Sequence, residues 1–309
     1  MRALSVRPQT GFMGEKTGKE NMTDPKSYHH RLVSHYRRPG LGENLLAALE
    51  NAGKTVRSYE DTAAFDEFHM RGRTATRDLA RFAEIAPGMR VLDLGCGLGG
   101  PARLLTAECG AFVTGIDLME EFVGAAVMLT RMAGMDRSPA FVRGDMLRLP
   151  FGVNSFDAAW SQHTLMNIED KAALFGEIHR VLNAGGLLAF HDVVAGTVPG
   201  RHYPVQWASD ASMDHLPDTS EMLHLLDSGG FEPVALHDET TACLEWFDRI
   251  RSKMKKRAAQ DPSGAPSAPG LHLVIGPDAA EKAANTVRNL REDRIRVVMG
   301  IWRKTGMAG

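Results

Sequence analysis

The sequence predicts an α/β protein, a doubly wound parallel sheet with helices on both faces. Three observations predict it. From residue 90 to residue 192, short apolar runs of strand length alternate with longer segments of helix length. A glycine-rich loop, Asp93-Leu94-Gly95-Cys96-Gly97-Leu98-Gly99-Gly100, joins the first run to the first of those helices. Aspartates follow at the ends of the next two runs, as Asp117 and Asp145. Such alternation requires crossover connections, and right-handed crossovers put helices on both sides of one sheet.

Each element has its own reason. Residues 23–60 read as helical, with Leu32, Val33, Leu41, Leu45, Leu46 and Leu49 among polar neighbours and Gly40 and Gly53 as punctuation. A second helical stretch, 73–86, is stopped by Pro87-Gly88. The run 90–94 (RVLDL) is a buried strand. It is followed by a helix at 100–109, a strand at 111–117, a helix at 119–134 and a strand at 140–143. Strand 156–160, helix 169–182 and strand 186–192 complete the alternation. Residues 193–218 have no clear period. A helix then opens on a capping box, Asp218-Thr219-Ser220-Glu221, and closes at Gly229-Gly230 before a strand at 231–237. Residues 242–257 form a basic helix, 260–270 (QDPSGAPSAPG) a Pro/Gly/Ser linker, 278–292 a helix and 294–303 a last strand.

Composition bounds the function. The chain has 309 residues, 43% hydrophobic and 24% charged, enough to bury a sizeable core. Lys plus Arg number 36 against 38 Asp plus Glu, a formal net charge of −2. That balance lacks the basic field of a general nucleic-acid binder. Mean hydropathy is −0.22, and no apolar stretch reaches the ~18 residues of a membrane helix, so no integral membrane segment is expected. The three cysteines (Cys96, Cys109, Cys243) form no CxxC pair and no disulfide framework, and a cytoplasmic location is the simplest expectation. Residues 1–21 lack an apolar core of the signal-peptide kind and are expected to be a flexible N-terminal extension.

The glycine loop carries the sharpest chemistry. Gly95, Gly97 and Gly100 satisfy the dinucleotide pattern GxGxxG, while Gly95, Gly97 and Gly99 satisfy DxGxGxG. Asp93, two residues ahead of the first glycine, suits a cationic ligand and would repel a pyrophosphate. Asp117 lies 22 residues after Gly95, where an acid can accept ribose hydroxyls under either reading. Gly144-Asp145-Met146 follows the third strand, where an aspartate can accept from an adenine amine, and the dinucleotide pattern does not require it.

On VLDLGCGLGG (91–100), GIDL (115–118), GDMLRLPF (144–151), FDAAWSQHTLMNI (156–168) and IHRVLNAGGLLAFHD (178–192), the sequence resembles the class I S-adenosylmethionine-dependent methyltransferases. The resemblance covers about residues 60–240 and the final strand. It implies a Rossmann-like, seven-stranded methyltransferase sheet whose last strand is antiparallel. It also implies S-adenosyl-L-methionine as cofactor and S-adenosyl-L-homocysteine as product. By the same resemblance, Asp93, Gly95 and Gly97 would line the methionine end of the cofactor and Asp117 would take the ribose hydroxyls. Leu118 and Met119 would lie against the adenine, Asp145 and Met146 would hold its edge, and Ser161, Gln162 and His163 would face the sulfonium. FDEFHMRGRTATRDLA (65–80) is similar to bacterial sarcosine/dimethylglycine N-methyltransferases and to phosphoethanolamine and quinone-type relatives. In those enzymes such a stretch closes on the methionine portion, which would engage Phe68, His69 and Gly72.

The implied domain plan is a helical cap at 22–89, a core at 90–240 and 294–305, and cap insertions at 193–218 and 241–293. Loops after strand carboxyl ends crowd the ligand in such sheets, so these insertions are expected over the cofactor. His163, His69 and His191 are the candidates for a general base, each with a plain structural role as the alternative. Arg71 is a candidate carboxylate clamp, and His202, Tyr203 and Trp207 are candidate acceptor contacts. No metal ligand set is read. The expected activity is methyl transfer to a small molecule, in first place to the nitrogen of a small amine or amino acid. The alternatives are O-, C- or S-methylation of a quinone, lipid precursor or thioether acid and, in another class, a non-catalytic cofactor-binding regulator. The expected partner is the small-molecule acceptor, and neither nucleic acid nor an integral membrane. A homo-oligomer stays open.

Overall fold

The structure, a computed structural model, describes residues 25–135, 138–260, 270 and 272–306. The expected N-terminal extension, 1–21, and most of the expected linker, 261–269, lie outside the described residues. Seven strands form one sheet: β1 (Arg90–Leu94), β2 (Phe112–Asp117), β3 (Ala140–Arg143), β4 (Phe156–Gln162), β5 (Leu182–Ala195), β6 (Phe231–Asp238) and β7 (Ile295–Lys304). Their order is β3-β2-β1-β4-β5-β7-β6. β7 runs antiparallel between β5 and β6, as the resemblance implies, and the other neighbours pair in parallel.

Side chains alternate across β1, so Val91 joins one core and Leu92 and Leu94 the other. On the first face Val91, Val113, Trp160 and Ile301 meet α3 (Arg73–Phe82) and α4 (Gly100–Cys109). On the second, Leu92, Phe190 and Trp302 meet α6 (Lys171–Val181) and α7 (Thr219–Ser228). Covering both faces is why these strands read as continuous apolar runs. Fully burying each large apolar side chain contributes roughly 1.5–3 kcal/mol.

Three expectations need correction. The helical stretch 23–60 is two helices, α1 (Pro25–Tyr36) and α2 (Leu41–Asn51), followed by a 3-10 turn at Tyr59–Thr62. Gly53, at φ +60°, ends α2, and Ser58 and Asp61 cap the turn reciprocally. β5 begins at Leu182 rather than 186, because a register shift between Phe156 and Ala158 lets its first residue pair early. At the start of α7 the Asp218 carboxylate accepts the Glu221 N–H at 2.8 Å, which is one arm of the expected capping box.

The carboxyl ends of β1 to β6 share one edge of the sheet. Beside it, α2 packs Leu41, Leu45 and Leu49 on Phe122, Ala125 and Leu129 of α5 (Glu120–Met132). α1 reaches over the loop after β4: Tyr28 Oη donates to the Asn167 carbonyl at 2.6 Å and Tyr36 Oη to Asn167 Oδ1 at 2.8 Å. Arg38 donates to the Val274 carbonyl at 2.8 Å in α9 (His272–Ile275). α8 (Thr240–Gln260) and α10 (Ala279–Arg291) are joined through Asp248, which pairs with Arg251 and Arg291 at 2.8 Å each. Among the described residues no helix is long and apolar enough to cross a membrane.

Candidate functional site

The loop after β1 turns on three glycines at positive φ: Gly95 (+68°), Gly97 (+52°) and Gly99 (+75°). The N–H groups of Gly95 and Cys96 both donate to the Ile116 carbonyl, at 2.8 and 3.1 Å, which ties the loop to β2. A Cβ on Gly95 would stand 2.5 Å from Thr164 Cγ2, and one on Gly97 2.5 Å from Phe68 Cζ. The space freed by these glycines is therefore filled in part by protein side chains. Phe68 lies directly on the loop.

Three carboxyl groups line the cavity beside this loop: Asp66, Asp93 and Asp117. Asp117 is held on both sides. Its Oδ2 accepts from Gly97 N–H and its Oδ1 from Met119 N–H, each at 2.9 Å. Burial still pushes its carboxyl up to about 6 against those donors. Asp93 is buried, and its Oδ2 has no hydrogen-bond partner. Burial first, then Asp117 and Glu67, push it up to about 8. Asp66 Oδ2 accepts from Arg103 Nη2 at 2.6 Å, and its Oδ1 has no partner. A buried carboxyl without a partner is costly. A cationic group placed against Asp93 would remove that cost, so the donor set fits a cationic ligand. Leu118, Met119, Phe122 and Met146 line the same cavity and give it an apolar wall next to Asp117.

Three histidines cluster at the ends of β4 and β5. The ring centroids of His163 and His191 are 5.1 Å apart, and His69 lies 6.1 and 6.2 Å from them. His69 and His163 line the cavity. His163 has φ +54°, and its N–H donates to the His191 carbonyl at 2.9 Å. Burial lowers the His163 and His191 imidazoles well below the ordinary value, so both are neutral. His69 Nε2 lies 2.8 Å from Glu67 Oε2. Thr76 Oγ1 is within 3.1 Å of that same oxygen and 3.2 Å of Gln162 Oε1. Trp160 Nε1 also donates to Gln162 Oε1, at 3.0 Å. Asp192 fixes the loop after β4 by accepting from the N–H groups of Thr164 and Leu165 at 2.9 and 2.7 Å. Among the described residues no group of three or more His, Cys, Asp or Glu side chains is arranged to hold a metal ion.

The cavity gathers Phe68, His69, Asp93, Gly95, Gly97, Asp117, and with them Leu118, Met119, Met146, Gln162, His163 and Trp207. Other expected site residues stand apart from its lining. Asp145 turns its Oδ1 to the Leu147 N–H at 2.8 Å and its Oδ2 to His29 at 3.1 Å. Ser161 and His191 are fully buried behind the lining, and neither His191 ring nitrogen has a partner. Gly72 (φ +49°) precedes α3 as its N-cap. Arg71, expected to grip a carboxylate, is already paired with Asp78 at 2.7 Å and with Glu239. His202 pairs with Glu292 at 2.8 Å, and Tyr203 donates to Asp214. Their polar ends are occupied by the protein itself.

Sequence reasoning missed Asp66, Glu67, Tyr36, Thr164 and the 274–275 contact. Two adjacent carboxylates inside FDEFHMRGR were a visible signal for the first two. Nothing local marks Val274 and Ile275, which reach the cavity through tertiary packing. With Leu32, Tyr36, Met166 and Trp207 they add apolar and aromatic lining to the cavity, beside the polar Asn167 and Gln206. Arg38 also lines the cavity, and its guanidinium is taken up by the carbonyls of His35, Arg37, Val274 and Ile275.

The strand order with its antiparallel β7 is the Rossmann-like fold seen in class I methyltransferases. Residues 92–190 match the family model described as a methyltransferase domain. The chain is 30% identical over 227 residues to a cycloartenol-C-24-methyltransferase of Arabidopsis thaliana, which covers 71% of this chain and 64% of that protein. It is 40% identical over 114 residues to the sterol 24-C-methyltransferase ERG6B of Gibberella zeae, covering 37% of this chain and 30% of that protein. Among solved structures, phosphoethanolamine N-methyltransferase 2 of Haemonchus contortus, in complex with phosphomonomethylethanolamine and S-adenosylhomocysteine, superposes with a TM-score of 0.67. That match is at 19% identity and covers 90% of this chain and 61% of that one, so it speaks for the fold. The chain thus spans less than two thirds of each of these relatives.

Proposed function

We propose that this protein transfers a methyl group from S-adenosylmethionine to an apolar small-molecule acceptor. One observation carries the cofactor assignment. The buried, unpartnered Asp93 carboxyl stands next to a glycine loop latched to Asp117, in a cavity walled by Leu118, Met119, Phe122 and Met146. That set suits a ligand with a cationic end, a diol and a flat ring. It is a poor match for a pyrophosphate, which would meet three carboxyl groups.

When bound, S-adenosylmethionine supplies an electrophilic methyl on a cationic sulfur. The chain's own tasks are to align the acceptor and to keep water out. Asp93 would hold the cationic end, and Asp117 would offer its remaining lone pairs to the ribose. His163 and Gln162, at the end of β4, face the reacting region. Leu32, Tyr36, Met166, Trp207, Val274 and Ile275 would enclose the acceptor. The resemblance to sterol C-methyltransferases agrees with such a lining. The amino-acid reading needs a free cation for the acceptor carboxylate, and Arg71, its candidate, is engaged by Asp78 and Glu239. The O- and C-methylation alternatives therefore lead over N-methylation of an amino acid.

The test is transfer of labelled methyl to a panel holding an isoprenoid alkene, a sterol, a phenol, sarcosine and dimethylglycine. Label in an extractable apolar product supports the proposal. Label confined to sarcosine or dimethylglycine overturns its acceptor half.

A further inference from the structure

A carbon or hydroxyl acceptor must lose a proton once it is methylated, whereas a tertiary amine need not. The cavity should then offer a proton acceptor, and three histidines compete for that role. His191 does not line the cavity. His163 does, but its Nε2 is buried with no partner to stabilise a positive charge. His69 differs from both. Its Nε2 lies 2.8 Å from Glu67 Oε2, and both side chains are buried, 5% and 1% exposed.

We propose that Glu67 and His69 form a proton-accepting pair, with His69 as the base and Glu67 as the residue that positions it. This rests on the methyl-transfer reading above. A carboxylate oxygen accepts, so Nε2 carries the hydrogen and Nδ1 keeps its lone pair. Gln162 Nε2, 3.4 Å from Nδ1, and the Met70 carbonyl at 3.3 Å are the remaining neighbours of that nitrogen. The carbonyl contact is the weaker claim on the ring, since the 2.8 Å contact to Glu67 fixes the tautomer. In the step itself, the His69 Nδ1 lone pair takes the proton from the methylated acceptor. The bonding pair of that C–H or O–H stays on the acceptor. The resulting imidazolium is balanced by Glu67, and the proton passes to water once product leaves.

The charged and titratable groups around the pair are few. Arg73 Nε stands 3.5 Å from Glu67 Oε1, the His163 and His191 rings lie within about 6 Å of His69 by their centroids, and Asp93 feels the Glu67 charge. Arg73 is the cation beside Glu67, and the two neutral histidines add no charge. Serine-hydrolase triads use the same division of labour, an acid orienting an imidazole that does the proton transfer.

The test uses Glu67→Gln and His69→Gln in the full chain, with three readouts. Nitrogen NMR of the wild type should show His69 as the Nε2–H tautomer, and Glu67→Gln should lose that preference. In both variants kcat for a carbon or hydroxyl acceptor should fall by about 100-fold or more, a far larger change than the one calorimetry reads in affinity for S-adenosylmethionine. The double variant should be no slower than His69→Gln alone, as for residues that act as one unit. An Nδ1–H tautomer in the wild type overturns the pair, whatever the activity. So does loss of cofactor affinity with kcat retained. If the wild type binds cofactor but methylates nothing in the panel, the functional reading fails and the tautomer still decides the pair.

Discussion

Gly97 N–H donates to Asp117 Oδ2 at 2.9 Å, which latches the loop after β1 to the end of β2. The same carboxylate accepts Met119 N–H with its other oxygen. One side chain thus fixes two loops on the wall of the cavity. Replacing it should damage the site while sparing the core. Asp117→Ala is expected to weaken S-adenosylmethionine binding by about 1–3 kcal/mol, the cost of buried donors left without partners. Calorimetry checks it, and an unchanged affinity removes Asp117 from the site.

Asp93 gives a pH signature. In the fold its carboxyl stands at about 8 against an ordinary 3.8, because it is buried beside Asp117 and Glu67. The folded chain therefore holds the proton that the unfolded chain has released. The stability it contributes is complete below about pH 4 and is lost as pH rises through about 8. Thermal melts of the unliganded protein should fall between about pH 4 and about pH 8 and level off above, and Asp93→Asn should flatten that fall.

A cationic ligand reverses the preference, since it needs Asp93 ionised. Cofactor affinity should rise by up to about tenfold per pH unit below about pH 8, with close to one proton released on binding. Titrations in buffers of different ionisation enthalpy count that proton. No release in the wild type, or the same release in Asp93→Asn, would separate Asp93 from the ligand's cation.

Gly95 is a position where size and conformation agree. It holds φ +68°, and an added Cβ would meet Thr164 Cγ2 at 2.5 Å. Gly95→Ala should cost about 1–2 kcal/mol for the backbone alone, with a further loss from the clash. Adding Thr164→Ala should return part of the cofactor affinity by removing Cγ2 and Oγ1. If the double variant binds no better than Gly95→Ala, the contact is not what the glycine serves.

Asp66 and Arg103 form an ion pair with both side chains fully buried, Oδ2 to Nη2 at 2.6 Å. Arg103 also donates to the carbonyl of Leu98, within the glycine loop, at 2.8 Å. Removing the acid leaves an uncompensated buried charge. Asp66→Ala should destabilise the fold by about 3–5 kcal/mol in urea unfolding, far more than a surface pair would. A change under 1 kcal/mol, like that of an exposed pair, would show that the pair is not buried in solution.

What was legible in the sequence had local causes. The strands β1, β2, β4 and the second half of β5 were visible because two-sided burial makes them apolar, and the glycine loop because its turn admits few other residues. Asp93 and Asp117 were visible because they bracket that loop at fixed spacing. Arg71, His202 and Tyr203 each have a protein partner that the sequence does not reveal. Their residue types suit a substrate, but their partners, Glu239, Glu292 and Asp214, lie 168, 90 and 11 residues away in the chain. Only the folded packing shows that those polar groups are already occupied. The apolar part of the cavity lining was hidden for the same reason, since Leu32, Trp207 and Val274 come from three distant segments that share no pattern.

The most direct test of the central claim is calorimetric titration of the purified chain with S-adenosylmethionine. A saturable single site competed by S-adenosylhomocysteine is expected, with no heat from NAD. No heat from S-adenosylmethionine, or a saturable site for NAD in its place, would contradict it.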